Sequence, residues 1–361
     1  MKDTTLLKQQ LEKYYADFDI AMGKGTGYYK QIEEYTGLNR KIFDSFKDLY
    51  ERNNFLKVIP HQDHKIPKII HQIWIGNQKI PKKLQKYQKT WIKHHPDWEY
   101  KFWDNERVNQ YNFANENFKF LFFNKSLTLG ERVDILRYDL LYNYGEIYAN
   151  MDCLCLKPFD IFVHSYDFFA GIFPVLPARF ESAIFLQNCL IGTKPSHPII
   201  AKVSSSLLEE WEEFEKDEDE YLNTCERTFL ALTKAALDEN GKDENIDLFL
   251  PPIYFLPLAG SPILDIILRG KKAVILGLFF KKYSPYSYFH NNSFSNHYLH
   301  LGWLRDIYST TSLKSGIWIL FDLKHWILFL KAKLLNLINK EASKKLARQT
   351  FEEFMSRCSL G

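Results

Sequence analysis

The sequence predicts an α/β fold, a mainly parallel central sheet between helices with helical additions at both ends. Three observations carry that expectation. Residues Thr128 to Asp160 read as one helix running into one strand that ends on a carboxylate. The run Lys68–Gly76, KIIHQIWIG, has the β-branched, apolar composition of a first buried strand. The chain has 361 residues, 46% of them hydrophobic and 16% aromatic, which is enough to fill one large α/β core with appendages.

Taken in order, residues 1–64 read as a helical N-terminal lobe of nearly balanced charge, punctuated by the glycines of Gly23–Gly27. That GKGTG string is no phosphate loop, because no strand precedes it and its spacing is wrong. The opening MKDTTLLKQQLEKYY carries charges every few residues, so neither a signal peptide nor a membrane anchor is expected, and the chain reads as cytoplasmic, with peripheral membrane contact through the C-terminal helix left open. Lys82–His95 is a basic helix with Leu84, Tyr87 and Trp91 on one face, most simply a solvated helix packed on the sheet.

The helix beginning at Thr128 rests on independent signals. Thr128 and Glu131 form a capping box, Val133, Leu136, Leu140 and Leu141 keep an apolar stripe, and Gly145 stops it. Glu146 to Ala149 then favours strand. The acidic run Glu209–Glu220 is expected as an exposed helix with Trp211 and Phe214 turned inward.

Gly316 to Ile338 is aromatic and aliphatic but interrupted by Asp322, Lys324, His325, Lys331 and Lys333, which a spanning helix would not place mid-segment. Trp318, Phe321, Trp326, Phe329 and Leu330 with Lys-rich flanks fit either a basic amphipathic helix on an anionic membrane or a helix docked on the core. The expected division is a lobe over 1–64, a catalytic domain over 65–310 and a helical extension over 311–361.

A net charge of +3 with no basic domain argues against nucleic acid as a partner. Five cysteines, Cys153, Cys155, Cys189, Cys225 and Cys358, form no CxxC pair and no dense secretory pattern, so a reducing compartment and no structural zinc are expected.

In open α/β sheets ligands bind at the carboxyl ends of the strands. The strand Glu146–Ala149 delivers Asn150-Met151-Asp152 to that edge. Asp134 and Arg137, three apart, share one face of the preceding helix; in isolation such a pair is an ordinary surface ion pair. A sugar nucleotide brings a diphosphate whose departure needs a divalent cation, and one carboxylate at a strand tip suits that job.

At this point the chain resembles the sugar transferases with a DXD motif, the family of yeast-type α-1,6-mannosyltransferases and inositol-phosphoceramide mannosyltransferases. More distantly it is similar to the glucosyltransferase domain of the large clostridial toxins. The resemblance runs through Ile66–Gly76, Pro81, His94–Asp104, Val133–Tyr148, Cys155–Asp160, Asn188–Pro198 and His297–Trp303, islands in the right order over roughly two thirds of the chain. It implies a GT-A type fold and a glycosyltransferase that moves a hexose from a nucleoside diphosphate sugar to an acceptor hydroxyl with retention, aided by Mn2+ or Mg2+. The acceptor is left open among glycan, glycolipid and protein.

The resemblance also implies roles. Asp152 would meet the metal, together with His297. Trp74 would stack on the base, Asp134 and Asn150 would contact donor hydroxyls, and Arg137, His297 and Trp303 would stabilise the leaving diphosphate. The family pattern GGIYLDTD reads GEIYANMD here, so Glu146 stands for a glycine and Asn150 for the first Asp. Gly302 occupies a place where many relatives have Ser, with His300 nearby. Asn150 and Gly302 keep open a catalytically silent transferase fold that binds a sugar nucleotide or a partner, and the C-terminal helix keeps open a membrane-surface adaptor.

Overall fold

The computed structural model describes residues 11–24, 29, 32–125, 128–174, 184–211, 226–256 and 292–297. All lie within one compact unit, residues 1–300. The helices are α1 (Phe18–Ala21), α2 (Gly37–Asn53), α3 (Lys82–His94), α4 (Asn105–Asn109), α5 (Glu116–Phe120), α6 (Leu129–Tyr144), α7 (Asp160–Ser165), α8 (Pro198–Trp211), α9 (Ala231–Glu239) and α10 (Pro252–Phe255). Between them run strands β1 (Ile69–Ile73), β2 (Glu99–Trp103), β3 (Glu146–Ala149), β4 (Cys153–Cys155), β5 (Phe168–Pro174), β6 (Ile184–Thr193), β7 (Asp247–Leu250) and β8 (Ser295–His297).

Six strands form one sheet in the order β2-β1-β3-β6-β5-β7. The β1·β2, β1·β3 and β5·β7 pairs are parallel, and β6 runs against both β3 and β5, so five strands point one way. This is the mainly parallel α/β sheet that the sequence predicts. Strands β3, β6 and β7 are buried at every residue, as expected of a sheet covered on both faces.

Helix α6 is the central support. Its capping box forms as expected, with Thr128 Oγ1 accepting from Glu131 N at 3.1 Å and Glu131 accepting from Thr128 N. From Asp134 to Leu141 every residue is buried, so this helix is enclosed rather than merely amphipathic. Its buried Asp139 accepts from the Tyr111 hydroxyl at 2.6 Å and from the backbone of Ala114 and Asn115, which ties down the loop before α5.

Gly145 ends α6 at φ +71, and a Cβ there would lie 2.6 Å from Pro195, so the turn into β3 requires glycine. The basic helix forms over Lys82–His94 with Leu84, Tyr87 and Trp91 buried.

The N-terminal helices share the sheet's core. Phe46 of α2 meets Phe249 of β7 edge-on at 4.9 Å, and the Tyr50 and Tyr254 hydroxyls lie 2.7 Å apart. Among the described residues no helix is long and apolar enough to cross a membrane. Expectations for the Gly316–Ile338 helix, for most of the acidic run and for residues 301–361 lie outside the described residues.

Candidate nucleotide-sugar site at the end of strand β3

Strand β3 leaves the sheet at Ala149, and Asn150-Met151-Asp152 turn the chain into β4. Cys153 N donates to Asn150 O at 3.0 Å, closing the turn, and Asn150 N donates to Cys189 O of β6 at 2.7 Å. Strand β4 pairs with β8, which sets Cys153 opposite His297. The backbone therefore brings the expected pair Asp152 and His297 to neighbouring positions from segments nearly 150 residues apart.

Asp134, Arg137 and Asn150 form one network. Arg137 bonds Asp134 at 2.8 Å and donates to Asn150 Oδ1 at 2.9 Å, to the Tyr148 hydroxyl at 3.2 Å and to Asn188 O at 2.7 Å. Arg137 is only 2% exposed, so the surface-ion-pair reading of the Asp134/Arg137 spacing fails. Burial acts to lower the Arg137 pKa, but Asp134 and Tyr148 outweigh it and the guanidinium is held charged.

The second Asp134 oxygen accepts from Asn188 Nδ2 at 2.9 Å and from Thr228 Oγ1 at 2.8 Å. Thr228 lies in a π-helical turn, Glu226–Leu230, that feeds α9. Such turns recur at functional sites, although the turn alone assigns no role.

Asn150 is fixed by hydrogen bonds. Its Oδ1 accepts from both Arg137 and the Tyr148 hydroxyl, the latter at 2.8 Å, and its backbone carbonyl accepts from Gln72 Nε2 at 3.1 Å. With Oδ1 committed, its amide Nδ2 makes no hydrogen bond among the described residues and is a donor left for a ligand. Asp152, two residues on, is 8% exposed.

Trp74 sits just past β1, half-buried, with its indole N–H on Gln78 O at 2.7 Å. It packs beside Leu84, Tyr87 and Met151, a small cluster apart from the main core that includes the middle residue of the Asn150–Asp152 turn. Trp303, His300 and Gly302 lie outside the described residues, as does the side chain of His297. Asn188, Thr228, Tyr148 and Gln72 are the contacts that sequence reasoning left unassigned. Gln72, Tyr148 and Asn188 lie within the islands Ile66–Gly76, Val133–Tyr148 and Asn188–Pro198, whereas Thr228 carried no signal.

No group of three or more His, Cys, Asp or Glu side chains stands together among the described residues. A metal here would rest on Asp152 as its described carboxylate, with Asn150 Oδ1 already engaged by Arg137 and Tyr148. That donor set fits a cation whose shell is completed by diphosphate oxygens and water.

Residues 81–169 match the family described as a glycosyltransferase sugar-binding region containing a DXD motif. An uncharacterized glycosyltransferase of Acanthamoeba polyphaga mimivirus is 35% identical over 138 residues, covering 37% of this chain and 52% of its own. Inositol phosphoceramide mannosyltransferase 3 of Schizosaccharomyces pombe is 34% identical over 152 residues, 42% of this chain and 40% of its own. The mannosyl phosphorylinositol ceramide synthase SUR1 of Saccharomyces cerevisiae is 28% identical over 198 residues, 54% of this chain and 47% of its own.

The matched segments thus span about half the length of these relatives. Among solved structures, the PaToxG glycosyltransferase aligns over 72% of this chain and 98% of its own at 19% identity, with a TM-score of 0.37, too loose a likeness to bear on the site. Residues 81–169, which include the Asp134, Arg137, Asn150 and Asp152 just described, are thus similar to the sugar-binding region of the DXD-motif glycosyltransferases, in a form whose motif reads Asn-Met-Asp.

Proposed function

We propose that this protein is a retaining, metal-assisted hexosyltransferase that takes its sugar from a nucleoside diphosphate donor. The observation that carries the reading is the buried Arg137 network, which fixes Asp134 and Asn150 beside the turn bearing Asp152. An ion held by Asp152, with His297 as a second ligand, would supply charge neutralisation at the leaving diphosphate.

Arg137 is a positioning group in this reading. It lies beneath Asn150 with both terminal nitrogens engaged, so it sets the amide's orientation and keeps positive charge under the turn. Asn150 Nδ2 then donates to a ribose or sugar hydroxyl. Asp134 is held by three partners and has lone-pair capacity for a donor hydroxyl rather than for nucleophilic attack. This favours front-face transfer, in which the leaving diphosphate takes the acceptor proton, over a covalent glycosyl-enzyme.

Trp74 offers a ring at the end of β1 for the base. Trp303, outside the described residues, is assigned to the leaving group by the sequence resemblance alone. The acceptor named by several relatives, inositol phosphoceramide, makes a glycolipid the first acceptor to test, ahead of glycans and proteins.

The test is donor hydrolysis and transfer with a panel of nucleoside diphosphate sugars in the presence of Mn2+. Asp152→Ala is expected to abolish turnover while unfolding at the wild-type temperature. Equal turnover in the two proteins sinks the metal-site assignment. Donor binding without turnover in wild type supports the silent-fold reading, which the missing first aspartate motivates.

A further inference from the structure

Helix α3 carries five lysines, Lys82, Lys83, Lys86, Lys89 and Lys93, and no aspartate or glutamate. At about 100° per residue, Lys82, Lys86, Lys89 and Lys93 fall within an arc of about 60°, directly opposite the buried Leu84, Tyr87 and Trp91. They make a straight row about 16 Å long at ~1.5 Å rise per residue. All four are exposed, and among the described residues none has an ion-pair or hydrogen-bond partner. In a chain with 47 basic and 44 acidic residues this is a marked segregation of charge. Ile92, 46% exposed, flanks the row.

The opposite face is locked to the candidate site. Trp91 Nε1 donates to Cys153 O at 2.8 Å, and Cys155 N donates to Thr90 Oγ1 at 2.9 Å, so α3 is bonded to the strand that continues from Asp152. Whatever binds the lysine row is thereby fixed relative to the Asn150–Asp152 turn.

We infer that the lysine row of α3 is a docking surface for an anionic phospholipid bilayer. Lysines are hydrated point charges on flexible stems, suited to a fluid, diffuse negative surface. The row has no arginine fork for bidentate phosphate recognition and no exposed aromatic to stack on a base, which disfavours nucleic acid. One flanking isoleucine gives little area to insert, so the contact is electrostatic and peripheral. The inference concerns where the protein sits and stands apart from the transfer reaction.

The experiment is flotation of the full chain with phosphatidylcholine vesicles, alone or with about one-third phosphatidylserine. Wild type is expected to float with the anionic vesicles only, and to be released as salt rises to about 0.5 M. The Lys82→Gln, Lys86→Gln, Lys89→Gln, Lys93→Gln variant, verified as folded by circular dichroism, is expected to bind about tenfold or more weakly. A control with Lys41→Gln and Lys57→Gln, two exposed lysines elsewhere, should bind as wild type.

Absence of wild-type flotation overturns the inference. So does equal flotation of the quadruple variant, which would move the contact to another segment such as residues 301–361. Retention on single-stranded RNA that exceeds vesicle binding and is lost in the variant overturns it in favour of nucleic acid.

Discussion

The two ends of strand β3 depart from the DXD family's pattern in opposite senses. At its first residue a carboxylate is added, Glu146 in place of glycine; just past its last residue one is removed, Asn150 in place of aspartate. Glu146 is 2% exposed and adopts φ +84, a left-handed conformation that glycine takes freely and glutamate only under strain. Its carboxyl contacts the His71 ring and lies 3.5 Å from Lys101. His71 Nδ1 accepts from the Trp103 indole at 2.7 Å, which leaves Nε2 to carry the proton toward Glu146.

Burial pushes the Glu146 pKa up to about 8 against the pull of Lys101, and burial with Lys101 pushes His71 down to about 3. Asn150 requires none of this, since its Oδ1 serves the same two donors a carboxylate would. An added buried charge reshapes its surroundings, whereas a lost charge inside a hydrogen-bonded network leaves the network standing. On the proposed reading, the function hinges on Asp152 rather than on the missing aspartate.

The largest effect is expected at Arg137. Arg137→Met strips Asp134 of its cation and Asn150 of a donor, and should cost about 3–5 kcal/mol in denaturant unfolding, the scale for breaking a buried ion pair. A loss below 1 kcal/mol, on that same scale, would return the pair to an ordinary surface contact.

Glu146→Gln sharpens the other end. A raised acid pKa means the native state holds a proton the unfolded chain has released, so stability falls as pH rises from 4.5 to about 8. The lowered His71 pKa works oppositely between about 3 and 6.5, so the two offset each other between 4.5 and 6.5 and the Glu146 effect stands alone above that. The variant should lose that alkaline decline, about 2 kcal/mol between pH 6.5 and 8 at ~1.4 kcal/mol per unit. Unfolding curves across pH that superimpose for both proteins would contradict the assignment.

Trp74→Ala should weaken donor binding by ~1–3 kcal/mol with unfolding little changed. Loss of folding without selective loss of binding would return the ring to the core. The smallest effect is expected for Asn150→Asp, where the hydrogen bonds are already satisfied. Apparent metal affinity should rise by on the order of 1 kcal/mol, because a charge is added near Asp152 across a solvated gap. A titration showing weaker metal binding would break the comparison.

Much of this was legible in the sequence because it is local. Thr128, Glu131 and Gly145 mark both ends of α6 through caps, and Leu84, Tyr87 and Trp91 declare the buried face of α3 by spacing alone. The partners of Asp134 were not legible. Asn188 arrives on the antiparallel strand β6 and Thr228 on a turn 94 residues away from Asp134, so only the sheet order brings them together. The Glu146 departure was visible, but its partner His71 follows from the parallel register of β1 against β3, which no periodicity encodes.

The most direct measurement is isothermal titration of the protein with nucleoside diphosphate sugars, with and without Mn2+, on wild type and Asp152→Ala. The account predicts that one donor binds wild type in a metal-dependent way, and that the metal dependence disappears in the variant while its unfolding temperature is unchanged. A wild type that binds no donor under either condition, or a variant that retains the full metal dependence, would contradict it.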